Sequence, residues 1–318
     1  MVNEKSIMQY TAISMGLMLG LSGCFHLPPY RMARKKLIIT PQIKSESSNS
    51  HEQSHTITVW IHGTRLAACP LLTSYVYSQP GLHPMSTLKS CYHLRQLADV
   101  LCKADPINYP ADNFYIFGWS GKLDAAQRKE AALILYQSLT ALITEYKQLH
   151  SVAPKIRLIT HSHGGNVALH LPEVKDFADS EFKVDELILL ACPVQEKTMH
   201  AVHHPLFKKI YALYSSLDML QILAPQFFYR LEYVKDNRAR SATKLPIFSS
   251  RRLPPDPKLA QIKIKMNGHA VFHTFFTTTK FTSMLPQIIS EIDAWQVEKQ
   301  QYPFENPTTR RLLSIRTR

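Results

Sequence analysis

The chain has 318 residues, 45% of them hydrophobic and 19% charged, with five cysteines and a formal net charge of +13. The apolar fraction is too high for a disordered chain and the cysteines too sparse for a disulfide-built scaffold, so one sizeable hydrophobic core is expected. The basic excess is spread over Lys208, Lys209, residues 238–244, Arg251, Arg252, Arg310, Arg311, Arg316 and Arg318, without interleaved aromatics or a recognisable motif, which argues against nucleic acid as a partner.

Near the N-terminus Lys5 precedes an apolar run over residues 13–21, which closes on Leu21-Ser22-Gly23-Cys24. Small residues before a cysteine resemble the lipobox of bacterial lipoproteins, in which the cysteine becomes the acylated first residue. Residues 1–23 are therefore expected to be a signal peptide, with Cys24 the lipid attachment site and the domain outside the cytoplasmic membrane. The alternative is an uncleaved membrane helix, which the basic cluster Arg31, Arg34, Lys35 and Lys36 would hold with the domain on the cytoplasmic side. Residues 24–55 pass into Ser, Glu, Gln and His and are expected to form the anchor and a flexible tether.

The first folded element expected is a strand, Thr56-Ile57-Thr58-Val59-Trp60-Ile61, rich in β-branched residues and ending in His62-Gly63-Thr64. A glycine directly after a buried strand lets the backbone bend over a bound carbonyl, which makes the N–H of Thr64 a candidate oxyanion donor. Residues 92–103 read as a helix, Phe117-Gly118-Trp119-Ser120-Gly121 as a strand end, and the segment from Arg128 through residues 131–146 as a long helix.

Next comes the most informative stretch, Ile159-Thr160-His161-Ser162-His163-Gly164-Gly165-Asn166. It joins an apolar strand to a helix start through a serine with small neighbours, the pattern of a nucleophile elbow. That turn lifts the Ser162 hydroxyl off the sheet and aims the His163 N–H, at a helix N-terminus, toward developing negative charge. Gly164 suits the tight turn and Thr160 suits it poorly. The bland reading, a glycine turn with a serine cap, is open at this point.

The strand 210–214 delivers Ser215-Ser216-Leu217-Asp218 to its carboxyl end, where ligand-facing loops gather in open α/β sheets, so Asp218 is the candidate acid. Asp185 precedes its strand and so lies at the wrong end of the sheet, and Glu196 follows one and remains a weaker rival. The alternating strand 261–266 ends at Asn267-Gly268-His269, making His269 the candidate base, with His273 as its competitor four residues on. His62, His161 and His163 could also form a zinc site, but such sites usually add carboxylate or cysteine ligands and need no elbow serine, so neither metal nor organic cofactor is expected.

The order Ser162, Asp218, His269, together with His62-Gly63-Thr64 and Thr160 to Gly165, resembles the α/β-hydrolases of the lipase and esterase kind over about three quarters of the chain. The resemblance implies an α/β-hydrolase fold, a mostly parallel central sheet with helices on both faces, over residues 56–300, followed by a basic tail at 301–318. It implies a serine hydrolase acting on lipid or acyl esters through Ser162, Asp218 and His269, with Thr64 and His163 as oxyanion donors. The rival from another class is a non-catalytic, membrane-anchored envelope lipoprotein using the same fold as a binding module. Two aromatic- and proline-bearing loops, 66–90 and 223–258, are expected to hang over the carboxyl edge of the sheet as a lid. Besides Cys24, Cys69, Cys91, Cys102 and Cys192 allow three disulfide pairings.

Overall fold

The strand Thr56–Ile61 (β2) is buried at every position, as expected of a parallel strand covered on both faces. It sits inside a ten-stranded sheet in a computed structural model that describes residues 33–39, 55–64, 80–175, 182–218, 253–301 and 311–317. In chain order the elements are β1 (Ala33–Ile39), β2, β3 (Gly81–Pro84), α1 (His93–Ala104), β4 (Phe114–Gly118), α2 (Ala125–His150), β5 (Lys155–His161), α3 (Gly164–Leu169) and α4 (Leu171–Lys175). They continue with β6 (Val184–Leu190), α5 (Glu196–Met199), β7 (Phe207–Tyr214), β8 (Leu259–Met266), β9 (His269–Ala270), α6 (Thr279–Gln301) and β10 (Arg311–Thr317).

The strand order is β1-β10-β8-β7-β6-β5-β2-β4-β3. Every neighbouring pair along it is parallel except β3 against β4, and β9 hangs antiparallel on β8. This is the mostly parallel α/β sheet that the sequence pattern predicted, with strands and crossover helices alternating through its centre.

Two apolar layers hold it together. On one face α1 buries Leu94, Leu97, Ala98 and Leu101, spaced by three and four residues, and packs with α6 through Phe281, Leu285, Ile288 and Ile292 against Ile262, Ile264, Leu313 and Ile315. On the other face α2 lays Ala132, Leu135, Leu139 and Ile143 over Ile57, Val59, Ile156 and Leu158. Helix α2 starts where the Asp124 carboxylate accepts from the Ala126 N–H at 2.7 Å, satisfying a donor the helix cannot, and stops at Ser151 in the left-handed region at φ 57°.

The ends of the chain correct the expected boundaries. Residues 33–39, assigned to a tether from the sequence, form β1, and residues 311–317, assigned to a basic tail, form β10. The two pair in parallel over their whole length and β10 docks on β8, so three strands are zipped along one edge. Their polar composition hid them: one face carries Lys36, Ser314 and Arg316, while among the described side chains Leu37, Leu313 and Ile315 are buried on the other. The loop 66–90 also contains β3, which completes the opposite edge, while its residues 66–79 and most of the loop 223–258 lie outside the described residues. So do Cys24, Cys69 and the proposed signal peptide; among the described residues Cys91, Cys102 and Cys192 form no disulfide with one another. Among the described residues no helix is long and apolar enough to cross a membrane.

Candidate active site

Strand β5 ends at His161 and helix α3 starts at Gly164, so Ser162 must turn the chain within two residues, and it does so at φ 53°. A non-glycine residue held there carries strain that the surroundings must fix. They fix it through the Ser162 N–H, which donates to the Leu190 carbonyl at 2.9 Å, and the Ser162 carbonyl, which accepts from Gly165 at 3.0 Å. Two glycines make the turn possible. A Cβ at Gly164 would lie 2.4 Å from the His62 carbonyl oxygen, and one at Gly63 would lie 2.8 Å from the Ser162 Cβ. Thr160, which looked ill-suited, is fully buried and its hydroxyl donates to the Ile188 carbonyl at 3.2 Å, so the branched side chain is absorbed by β6.

Because Gly63 lies against Ser162, the backbone running from His62 to Thr64 passes beside the serine. His62 anchors that segment. Its Nε2 accepts from the Trp119 N–H at 3.1 Å, so the ring proton is on Nδ1, which donates to the Gly63 carbonyl at 2.7 Å. Trp119 stacks on the imidazole at 5.7 Å and its indole N–H donates to the His62 carbonyl at 2.8 Å. Both ring nitrogens of His62 are thus occupied, which removes it from the three-histidine zinc arrangement. Among the described residues no group of three or more potential ligands gathers around a common point.

Behind the turn lies a buried polar network. The Thr198 hydroxyl donates to Asn166 Oδ1 at 2.6 Å, and Asn166 Nδ2 donates to the Pro193 carbonyl at 3.0 Å. Asn166 thereby pins the first turn of α3 to the end of β6. Arg128, fully buried on α2, donates to Gln195 Oε1 at 3.4 Å, and burial with the Arg128 charge holds the His163 imidazole well below its usual range. His163 is neutral, and its own backbone N–H is used by none of the turn's backbone bonds among the described residues.

The loops carrying the candidate acid and the candidate histidines meet at the same end of the sheet. Asp218 follows β7, is fully buried, and accepts from His273 Nδ1 at 2.9 and 2.8 Å through its two oxygens. The loops are joined a second time where the Val271 N–H donates to the Ser215 hydroxyl oxygen at 2.9 Å. The His273 ring then packs on the ring of His161, the residue before Ser162, with centroids 4.7 Å apart. His161 Nε2 donates to the His273 carbonyl at 3.3 Å, and burial pushes the His161 imidazole down to about 3, so it stays neutral beside its neighbour.

This corrects the sequence assignment of the base, for His269 does not meet Asp218. Asn267 at φ 48° and Gly268 at φ 87° reverse the chain into the short hairpin of β8 and β9, and His269 stands exposed opposite Met266. The chain needs four more residues to come back over Asp218. The signal was present in the sequence, since Asn-Gly is the dipeptide of a two-residue hairpin and a residue just after it points away along the returning strand. The rivals of Asp218 fall away by position. Asp185 accepts from the Ile156 N–H at 2.8 Å at the opposite end of β5, and Glu196 is exposed at the start of α5. His203 binds Asp256 at 2.9 Å on the surface.

No protein-family model matches the chain, and no curated protein is similar to it in sequence. Among solved structures, a ligand-bound form of the rice cell wall degrading esterase LipA from Xanthomonas oryzae aligns at 13% identity with a TM-score of 0.26, covering 44% of this chain and 34% of that one. Another structure of the same esterase aligns at 11% identity and TM-score 0.29, covering 74% and 72%. Aspergillus fumigatus lipase B aligns at 10% identity and TM-score 0.27, covering 69% and 39%. The chain thus spans well under half the length of the first and the last of these.

Proposed function

We propose that the chain is a serine hydrolase cleaving carboxylic esters, with lipid or acyl esters as the substrate class, through Ser162, His273 and Asp218. The observation that carries the reading is the two-oxygen grip of buried Asp218 on His273 Nδ1, with the His273 ring packed on His161, the neighbour of a serine held at positive φ. With its proton on Nδ1, the imidazole keeps a basic lone pair on Nε2. Ser162 Oγ attacks the ester carbonyl while Nε2 takes the hydroxyl proton, and the charge moves to the carbonyl oxygen. The N–H groups of His163 and Thr64 are the donors assigned to that oxyanion, each of a kind worth about 3 kcal/mol in the transition state. The carbon–oxygen bond to the alcohol breaks, the leaving alkoxide takes the proton from Nε2, and an acyl-enzyme remains on Ser162. Water then repeats the two proton transfers and releases the acid. A neutral His161 suits this cycle, since a second positive charge against His273 would oppose formation of the imidazolium.

Acylation at Cys24 and a position on the outer side of the cytoplasmic membrane belong to the same proposal and rest on Leu21-Ser22-Gly23-Cys24. A fluorophosphonate probe tests the chemistry: wild type should label on Ser162 and hydrolyse a short p-nitrophenyl ester, and Ser162→Ala should do neither while staying folded. A folded wild type that neither labels nor hydrolyses would mark the chain as a non-catalytic binding module. Intact mass should find an acylated N-terminus at Cys24; an unprocessed Met1 would overturn the anchoring.

A further inference from the structure

The helices cover the two faces of the sheet unequally. On the α2 side the apolar core reaches Ile210 of β7 and the first residues of β8 and stops there among the described residues. Beyond it, no helix among the described residues covers β8, β10 and β1 on this side. The parallel register aligns Lys265, Ser314 and Lys36 in one row and sets Leu312 beside Lys263 and Arg316 beside Ile38 in the rows on either side. Lys36 and Arg316 are exposed, Ile38 is 41% exposed, and Lys263, Lys265 and Ser314 are half-buried. The opposite face of these strands is the covered one, where Lys35 is bound to Glu291 of α6 at 2.6 Å.

None of the three strands contains an acidic residue. With strands about 4.8 Å apart, the cations of a row stand about 10 Å from each other, separated by a neutral residue, so their fields overlap over one plane. A solvated face of a globular domain mixes both signs; among the described residues of these strands this one carries positive charge alone, with an exposed isoleucine at its rim. Such a surface fits a planar array of negative charge.

We infer that this face of β1, β10 and β8 docks on an anionic phospholipid surface and sets how the enzyme lies against its membrane. The choice of a lipid surface rests in part on the proposed acylation of Cys24. That residue precedes Ala33 by so few positions that an extended chain spans only roughly 30 Å at about 3.3 Å per residue, so the acyl anchor would hold β1 within reach of the headgroups. The lysine and arginine side chains bind phosphate through their charged ends while their methylene stems and Ile38 rest at the interface.

Acetylation footprinting of the full-length chain bound to vesicles tests this without altering the protein. On vesicles containing phosphatidylglycerol, Lys36 and Lys265 should acetylate several-fold more slowly than on pure phosphatidylcholine, recovering at about 1 M salt, where screening is nearly complete. Lys129 and Lys155, away from this face, should not change. Equal rates on both vesicle types would overturn the inference, as would protection by a duplex oligonucleotide with none from lipid. A Lys36→Gln, Lys265→Gln, Arg316→Gln variant should lose the anionic preference by tenfold or more, yet label with fluorophosphonate as wild type does. Loss of labelling in the unaltered protein would instead count against the hydrolase reading, and an unacylated N-terminus against the anchor, so the three failures are read separately.

Discussion

The carboxylate of Asp218 holds His273 Nδ1 with both oxygens, at 2.9 and 2.8 Å, from a position with no solvent exposure at all. A buried carboxylate has to be satisfied by its partner, and here that partner is an imidazole from a different loop. The pair therefore fixes the ring's tautomer and ties two loops together in one contact.

It follows that His273 and His269, four residues apart, should separate cleanly under mutation. His273→Gln should lower kcat/KM for a p-nitrophenyl ester by about a thousandfold or more, because proton transfer is lost in both half-reactions. His269→Gln, on an exposed hairpin, should change it by less than about threefold. The reverse ranking would return the role to His269.

Asp218→Asn keeps the shape but donates where a carboxylate accepts, forcing the proton of His273 onto Nε2. The turnover number should drop by about four orders of magnitude with KM little changed, since the damage is to the base and not to binding. A loss of only tenfold in a folded variant would show that Asp218 is not behind the base.

Gly164→Ala tests the turn itself. Its new Cβ would fall 2.4 Å from the His62 carbonyl oxygen, and backbone cannot swing aside as a side chain can. Overpacking of this kind costs about 1–3 kcal/mol, and moving His62 also moves the Gly63–Thr64 segment beside the serine. Urea unfolding should show the lost stability and esterase assays a loss of kcat. By contrast, Gly268→Ala meets nothing within 4 Å and should cost only the strain of φ 87°, about 1–2 kcal/mol, with activity retained.

Stability should fall on acidification through the histidines at the elbow. Burial lowers His161 from 6.5 to about 3 and lowers His163 well below 6.5, so below pH 6.5 the unfolded chain takes up protons that the folded one refuses. Each contributes a slope approaching 1.4 kcal/mol per pH unit as pH drops from about 6.5 toward the folded value, with stability highest above that window. His161→Gln should flatten the slope of unfolding free energy between pH 6 and pH 4 by nearly one proton's worth. An unchanged slope would mean that His161 is protonated in the fold.

What the sequence determined by itself is what local chemistry writes into short stretches. The run Thr56–Ile61, the elbow around Ser162 and the strand leading to Asp218 were legible because each couples an apolar run to a glycine or serine turn, a pattern that needs no distant residue to interpret. The long helix read over residues 131–146 was equally plain, although it runs from Ala125 to His150. The edge strands β1 and β10 were not, because only one of their faces is apolar and their partners lie at opposite ends of the chain. The Asn267-Gly268 turn spoke against His269, but which histidine faces Asp218 was settled only by the fold. His269 and His273 have the same chemistry, and only the turn at Asn267 and Gly268, the bond of Val271 to Ser215 and the approach of His161 decide which of them reaches Asp218. Proximity between residues far apart in the chain is set by how loops close over a sheet edge, and that closure depends on the sum of contacts made by the whole fold.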